Sequence, residues 1–311
     1  MPDGLPLCRV VPLPDDRVSF VAGRELTRWH FGPQSTRPFF FPFNGTRGES
    51  LTRMGHPGDP SHDHHRSIWF GHEKVSGVDF WSHGGPGRIA QRQWLAYASG
   101  DDEAVMAVRL DWFDGHDPEP LMTQDLVAAS IAAARSDGSA DWFLELQATF
   151  LPTAERLEFG HTNFGMLGVR VAESISGHFG GGRLTGSDGN TGERALFGLP
   201  NRWVDYSGPV TPSEEGPTWE GITLYDHPSN PNHPAKWHVR EDGWMGPSLC
   251  RDAAVMTSRA EPLVLRYLLQ AHAGPVDPGK AEGIFREYAG RPPFTIERSK
   301  RPHRTFEVRR T

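Results

Sequence analysis

The sequence predicts an all-β protein, a large antiparallel β-sandwich with one short C-terminal helix. Apolar residues recur at every second position, or in short runs, over segments of strand length. Gly and Pro make up about a fifth of the 311 residues, and the chain also carries 10 Trp and 18 Phe. Such a composition favours short strands joined by sharp turns. No repeat or linker divides the chain, so we expect a single domain over residues 1–311.

Several segments carry the strand pattern, each bounded by Gly, Pro, Asp or Asn. Residues 126–135 are Ala-rich and would be helical by propensity alone. The turn-forming residues 136–141 join them directly to the strand that begins at Trp142, so we interpret 126–135 as part of a hairpin. The other predicted strands are residues 17–22, 103–113, 142–151, 166–172, 263–271 and 304–309.

One helix is predicted from Pro278 to Ala289. Asp277 can cap its first turn, and Gly290 directly follows its last residue. Residues 177–221, by contrast, are rich in Gly, Pro, Asn and Asp and show no obvious strand. A segment of this kind in a regular β protein is often a binding loop, and we predict one here.

Charge and composition exclude several classes of partner. The net charge is −7, and basic residues are scattered except in residues 298–310, so we expect no nucleic-acid groove. No run of about 18 apolar residues could span a membrane, and the N-terminus lacks a signal-peptide core. The two cysteines, Cys8 and Cys250, neither require an oxidising compartment nor form a metal-binding set. We expect a soluble, cytoplasmic protein that forms a homo-oligomer at most.

Histidines are concentrated in one part of the chain, since six of the fifteen lie between residues 56 and 83. Imidazole is both a common metal ligand and the usual acid or base near neutral pH. In an extended segment His62 and His64 would share one face, and His65 would point to the other. A divalent metal would then have two ligands, His62 and His64. A further ligand would have to come from another residue, and the candidates are Asp59, Asp63, His72 and His227.

A simpler alternative is that His and Asp side chains in this Gly/Pro-rich segment hydrogen-bond to one another. The neighbouring residues favour a binding role instead, because Arg66 and Trp69 directly follow the histidines and Trp81 comes a little later. Hydrogen-bonding groups beside indole rings suit a sugar, which has hydroxyls at its rim and apolar C–H faces. Each tryptophan alone could equally be a core residue.

A second segment, residues 225–244, has a similar composition. It holds Asp226, His227, Trp237, His238 and Arg240. We predict that this segment and the first histidine segment converge at one end of the sandwich, although they could be unrelated surface loops.

A third group lies between these two segments. His161 and Asn163 precede a predicted strand, and Glu173 follows it. A base, an amide and a carboxylate could therefore reach the same cleft, or could simply face solvent.

The chain resembles the bacterial PmoA-like family, a domain of unknown function that is sometimes labelled methane oxygenase PmoA. The segments that carry the resemblance cover most of the chain: RPFFFPFNGTRGESLTR (37–53), HDHHRSIWFGHEKVSGVDFW (62–81), FGMLGVRVAES (164–174), WVDYSGPV (203–210) and GITLYDHPSNPNHPAKWHVR (221–240). The oxygenase label implies little, because particulate methane oxygenase subunits span membranes. The resemblance implies a β-sandwich similar to galactose mutarotase, and a setting beside sugar oxidoreductases in bacterial carbohydrate catabolism.

Mutarotases use a His as acid and a carboxylate as base. Their TNH motif is half matched, because Thr162 and Asn163 are followed by Phe164. If the fold is shared, the resemblance implies an acid from the 62–72 segment or from His227 or His238, opposed by Glu173 or Asp226.

Our leading hypothesis is an enzyme that acts on a sugar or oxidised sugar by acid/base chemistry, as an isomerase, epimerase, lyase or glycoside-cleaving enzyme. One alternative is an iron or copper oxygenase with His62 and His64 on the metal. Another is a non-catalytic carbohydrate-binding protein or partner subunit. The candidate catalytic residues are His62, His64, His72, Glu173, Asp226, His227 and His238. The candidate substrate-binding residues are Arg66, Trp69, Trp81, His161, Asn163, Trp237 and Arg240.

Overall fold

The structure, a computed structural model, describes residues 5–56, 58–132, 141–211 and 217–311. Strands dominate these ranges. In chain order the strands are β1 (Cys8–Leu13), β2 (Arg17–Ala22), β3 (Arg24–His30), β4 (Phe39–Phe43), β5 (Ile68–His72), β6 (Arg88–Ala98), β7 (Glu103–Phe113), β8 (Met122–Ala132), β9 (Trp142–Pro152), β10 (Arg156–Phe159), β11 (Gly165–Arg170), β12 (Arg183–Gly186), β13 (Trp203–Thr211), β14 (Thr218–Asp226), β15 (Lys236–Arg240), β16 (Trp244–Ser248), β17 (Val255–Ser258), β18 (Leu263–Ala273), β19 (Phe294–Arg298) and β20 (Phe306–Arg310). The helices are α1 (Glu193–Leu196) and α2 (Pro278–Ala289), with a 3-10 turn at Pro60–His62.

Two eight-stranded antiparallel sheets form the body of the molecule. The first sheet has the order β1-β2-β3-β4-β5-β11-β16-β15, and the second has the order β12-β13-β14-β18-β9-β8-β7-β6. Two short hairpin sheets, β10-β17 and β19-β20, complete the described part. The predicted all-β sandwich is therefore confirmed.

The core lies between the two large sheets. The ring of Phe70, on β5 of the first sheet, lies 6.3 Å from the rings of Phe150 and Tyr267, on β9 and β18 of the second. All three side chains belong to one cluster of buried apolar residues that draws on both sheets. Each such side chain contributes roughly 1.5–3 kcal/mol through its removal from water.

The predicted strands are confirmed with small differences at their ends. Residues 17–22 and 103–113 match β2 and β7 at both ends, and the other four match β9, β11, β18 and β20 to within two residues. The Ala-rich segment is also a strand, since β8 pairs with β9 through Ala132 and Trp142. Residues 133–140, which hold most of the predicted turn, lie outside the described residues.

The predicted helix is confirmed as α2, from Pro278 to Ala289. Asp277 Oδ1 accepts hydrogen bonds from the backbone N–H groups of Gly279 and Lys280, at 2.8 and 3.0 Å. The buried side of α2 packs on the outer face of the second sheet. Within the described ranges, no helix has the length and apolar character needed to span a membrane.

The prediction of a long loop over residues 177–221 is wrong. This segment contains β12, α1, β13 and the start of β14. On β13, Val204 and Tyr206 face the core, while Asp205 and Ser207 point to the other face and are also buried. Asp205 accepts a hydrogen bond from the hydroxyl of Ser207 and one of 2.9 Å from Thr223 Oγ1. Polar residues that form their hydrogen bonds inside the protein therefore give this strand the composition of a loop.

Candidate functional site

A cleft of about 280 Å³ lies on the outer face of the first sheet. Strand alternation explains its position, because Phe70 and Met245 point into the core while Trp69 and Trp244 point outward and form a separate aromatic cluster. The cleft is lined by His62, His64, His65, Glu73, Asp79, Trp81, Ser82, Phe164, Arg170, His238, Arg240, Asp242 and Trp244.

Tightly packed aromatic side chains form the floor of the cleft. The rings of Trp69, Trp81 and Trp244 are each 5.3 Å apart, centroid to centroid. Phe164 extends this group at 5.9 Å from Trp81. Contacts of this kind stabilise aromatic pairs by about 0.5–1.5 kcal/mol beyond their burial. The floor is therefore a closely packed aromatic surface.

The histidine segment is folded as a compact turn rather than extended. Asp59 Oδ1 accepts a 3.0 Å hydrogen bond from the N–H of Ser61 and so caps the 3-10 turn at Pro60–His62. His65 consequently lines the cleft together with His62 and His64, with ring centroids 5.1 and 4.4 Å away. The expectation that His65 points away from His62 and His64 is wrong, because it assumed strand geometry.

Two of these imidazoles have one ring nitrogen held by the turn itself. His62 Nδ1 lies 2.7 Å from Asp59 Oδ2, and His64 Nδ1 lies 2.9 Å from the carbonyl of Ser61. A carboxylate or carbonyl oxygen can only accept, so each Nδ1 carries the proton. That assignment leaves the Nε2 lone pair of His62 and of His64 available to a ligand.

Imidazoles around the cleft are shifted towards their neutral form. Burial, with a smaller effect from the charge of Arg37, lowers the pKa of His64 to about 4. Burial and the charge of Arg240 lower the pKa of His238 to about 4. The pKa of His65 lies further below its ordinary value, again chiefly through burial. These three rings are therefore uncharged at neutral pH.

The second histidine segment contributes through β15 and β16. His238 and Arg240 alternate outward on β15, and Asp242 lies in the turn before Trp244. The two segments thus meet on the outer face of the first sheet rather than at an end of the sandwich. His238 and Arg240 reach the cleft, as predicted from the sequence.

Ion pairs hold the arginines of the cleft. Arg170 is fully buried and donates to both carboxylate oxygens of Asp242, at 3.0 and 3.3 Å. Burial alone would raise the pKa of Asp242, but the hydrogen bonds and charge of Arg170 outweigh it and hold that pKa below its usual value. Arg240 pairs with Glu193 at 2.7 Å.

Asp226 and His227 lie at the end of β14 in the second sheet, away from the cleft. Asp226 accepts hydrogen bonds from Asn230 Nδ2 at 2.7 Å and from His233 Nδ1 at 2.8 Å. His227 Nε2 lies 2.9 Å from Arg266 Nη1. Both side chains hold the 226–235 loop in place, which is a structural role.

Two further predicted residues are structural in their contacts. Trp237 is fully buried in the core, where its Nε1 donates to the carbonyl of Asn201 at 2.8 Å. His72, also buried, has its Nε2 3.0 Å from the carbonyl of Gly160.

The remaining predicted residues lie around the cleft without lining it. His161 Nε2 lies 2.7 Å from the carbonyl of Arg251, whose Nη1 donates to Asn163 Oδ1 at 2.7 Å. Trp69 belongs to the aromatic floor but does not itself line the cleft. Arg66 and Glu173 are not among the lining side chains.

Some lining residues were not predicted as site residues from the sequence. Asp79 shapes the loop before Ser82, because its Oδ1 accepts hydrogen bonds from the backbone N–H groups of Trp81, at 2.6 Å, and Ser82, at 3.0 Å. Buried Arg37 donates to the carbonyls of Phe80 and Trp81 and fixes the same loop. The sequence signal for this loop was the Asp two residues before Trp81, which is typical of an Asx turn. The others missed were His65, Glu73, Phe164, Arg170, Asp242 and Trp244.

The donor set was also tested for a metal. Among the described residues, no three or more His, Cys, Asp or Glu side chains are grouped to hold one. The rings of His62 and His64 are 6.1 Å apart and nearly parallel. A metal held by His62 and His64 therefore stays a prediction, and the described residues show no third ligand for it. The same holds for the oxygenase alternative, which depends on that metal.

Two other cavities are larger but chemically poorer. One, of about 660 Å³, lies between β6 and residues 301–309, and His303 is its one imidazole. The other, of about 370 Å³, lies beside the start of α2, with His272 as its one imidazole. Of these three cavities in the described part of the chain, the cleft of about 280 Å³ is the one that groups several imidazoles with carboxylates and indoles, and for this reason we identify it as the candidate site.

Comparison with known proteins gives one family. The model of a protein family described as a family of unknown function (DUF6807) matches residues 18–286 of the chain. No curated protein matches the chain at a significant level.

Proposed function

Because the chain belongs to this family of unknown function, DUF6807, its role has to be argued from its own site, and we propose that the cleft binds a sugar ring and acts on it by general acid/base catalysis. The observation that carries the proposal is the placement of several imidazoles over a floor of indole rings. The resemblance to PmoA-like and galactose mutarotase-like proteins points to the same substrate class.

The size and surface of the cleft fit a single sugar ring. Its volume of about 280 Å³ is just below the range of about 300–1,000 Å³ that holds drug-sized ligands. The C–H face of a pyranose can lie on Trp81 and Trp244, and its hydroxyls can donate to the free Nε2 of His64. His238 faces the same space from β15.

His62 is the best-placed general base. Its Nδ1–H is held by Asp59 at 2.7 Å, so the carboxylate orients the ring and stabilises the imidazolium that forms when Nε2 takes a proton. His62 would take a proton from a hydroxyl, or from a carbon beside a carbonyl, and return it to the product. This chemistry corresponds to isomerisation or epimerisation.

Glycoside cleavage is less well supported. That reaction needs a carboxylic acid whose raised pKa keeps it protonated. Arg170 instead lowers the pKa of Asp242. A second candidate function, non-catalytic sugar binding, is favoured by the low pKa of about 4 of His64 and His238, which suits hydrogen bonding better than proton transfer at neutral pH.

We also propose that the protein acts in the cytoplasm of a bacterium, beside sugar oxidoreductases. Cys8 and Cys250 are free and buried, which is consistent with a reducing compartment.

The test combines binding and turnover. Calorimetry with a panel of aldoses and ketoses identifies a bound sugar, and NMR follows its conversion. We expect His62→Gln to retain binding and to lower kcat by roughly 10²–10⁴. We expect His64→Gln and His238→Gln to weaken binding, whereas His116→Gln, at an exposed position, changes neither.

If the His64 and His238 variants bind as the wild type does, the proposed site is wrong. A wild-type protein that binds a sugar without converting it supports the non-catalytic alternative.

A further inference from the structure

The charges that face the cleft narrow the substrate class. We infer that the cleft selects an uncharged sugar and rejects sugar acids and sugar phosphates; this inference rests on the proposed function. It follows from how the cations and carboxylates of the lining are paired.

Each arginine among the described lining residues already has a carboxylate partner. Arg170 is fully buried and donates to both oxygens of Asp242. Arg240 donates through Nη1 to Glu193 at 2.7 Å. A carboxylate or phosphate that entered the cleft would have to displace Asp242 or Glu193, or share an arginine with one of them.

Two carboxylates of the lining, Glu73 and Asp79, by contrast, form no ion pair with any residue that the structure describes. Glu73 accepts a hydrogen bond from the hydroxyl of Thr162, and no ion pair with Glu73 occurs in the part of the chain that the structure describes. Neighbouring Lys74 points to the carbonyl of His161, 3.2 Å from its Nζ. Asp79 accepts from the backbone N–H groups of Trp81 and Ser82. These groups repel an anion through space.

Two of the lining imidazoles, His64 and His238, do not compensate for this negative charge at neutral pH. The pKa of His64 and that of His238 are about 4, so both rings are neutral hydrogen-bonding groups. An anion inside the cleft would therefore lose its hydration without a new ion pair, since Arg37, whose charge reaches His64, is buried and donates to the carbonyls of Phe80 and Trp81. An uncharged sugar has hydroxyls for Glu73 and Asp79 and meets no repulsion. The preference for an uncharged sugar thus comes both from the repulsion of anions by Glu73 and Asp79 and from the hydrogen bonds that these groups accept from hydroxyls.

The test compares each hexose with its own uronic acid and its own 6-phosphate, by calorimetry at pH 7.5 and about 0.15 M salt. We expect the wild type to bind the uncharged sugar at least tenfold more tightly than either anion. Glu73→Gln should raise the affinity for the uronic acid relative to the uncharged sugar by roughly threefold to tenfold. Glu119→Gln, at an exposed position in the second sheet's β7–β8 loop, is the matched control and should leave the ratio unchanged.

The possible failures are distinguishable. A wild type that binds a uronic acid or a sugar phosphate as tightly as the uncharged sugar overturns this inference and leaves the proposed function standing. A wild type that binds no sugar of any kind overturns both. An unchanged ratio in a folded Glu73→Gln protein overturns the role of Glu73.

Discussion

The pKa values of individual histidines in this chain differ because the surroundings of their side chains differ. His64 is half-buried and His272 is buried, and their pKa values shift in opposite directions. Burial alone would lower the pKa of His272, but the charge and the 2.8 Å hydrogen bond of Asp205 raise it above the usual value. His64 has no such carboxylate and becomes neutral. The number of histidines in the sequence therefore says little about their charge.

The ion pair of His272 with Asp205 makes stability depend on pH. Because the folded-state pKa of His272 is raised, the contribution of the pair is complete below about pH 6.5 and is lost as the pH rises through the raised value. We expect Asp205→Asn to lower the free energy of unfolding by about 3–5 kcal/mol at pH 6 and by less at pH 9. Urea denaturation followed by circular dichroism measures both values.

Asp252→Asn is the control, since Asp252 forms an exposed pair with Lys236. Exposed pairs contribute about 0–1 kcal/mol. Equal losses at the two pH values in Asp205→Asn would contradict the assigned charge of His272.

Elements dominated by apolar residues could be predicted from the sequence, and β13, in which polar residues predominate, could not. Strands β2 and β7 carry apolar residues at alternating positions or in a short run, and they were predicted at both ends. Strand β13 was missed because Asp205 and Ser207 are buried by partners from distant strands, which local pattern does not reveal. Likewise, the ion pair between Arg170 and Asp242 joins residues far apart in the chain, so no spacing indicated it.

The turn at Pro60–His62 could have been recognised. An Asp followed by Pro is a frequent start of a helical turn, because Asp caps and Pro fits the first position. Strand alternation was applied to His62, His64 and His65 instead, and it separated residues that the turn brings together.

The turn provides a test of how His62 is positioned. Asp59 both caps the turn and holds His62 Nδ1. We expect Asp59→Ala to lower kcat by about tenfold or more, with little change in KM. The upper limit is the roughly 10²–10⁴ that the general base itself contributes. Steady-state kinetics on the sugar identified by calorimetry measures the split.

Asp63→Ala, at an exposed position in the same segment, is the control. A parallel rise of KM in Asp59→Ala would indicate a collapsed cleft and would contradict a positioning role.

At the scale of the whole molecule, the two sheets have different outer faces. The outer face of the second sheet is covered by α2 and by the β19-β20 hairpin. The outer face of the first sheet carries the cleft. The helix α2 and the β19-β20 hairpin therefore lie on one side of the core, and the candidate site lies on the other.

Glu145, on β9, anchors the cover of the second sheet. It is buried and pairs with Arg310 at 2.9 Å and with Arg291 at 3.2 Å. Burial alone would raise its pKa, but Arg310 and Arg291 hold it below the usual value. We expect Glu145→Gln to lower the free energy of unfolding by about 3–5 kcal/mol at pH 7, because Arg291 loses its carboxylate and Arg310 keeps only Glu103, at 3.0 Å.

The same substitution should cost less near pH 4. A carboxylate whose pKa is lowered in the folded state stabilises the protein at pH values above its unfolded-state pKa. This stabilisation is lost as the pH falls through the lower, folded-state pKa. Sugar affinity of the folded variant should not change, and calorimetry checks this. Glu297→Gln, at an exposed position, is the control. A loss of sugar binding in folded Glu145→Gln would contradict the separation of the two faces.

The outward residues of β5, β15 and β16 alternate with residues of the core. Trp69 neighbours Phe70, His238 neighbours Val239 and Trp244 neighbours Met245, so on each strand a side chain of the cleft or its floor and a side chain of the core are one position apart. The outward side chains of this face can therefore be changed one by one while the packing between the two sheets is left intact.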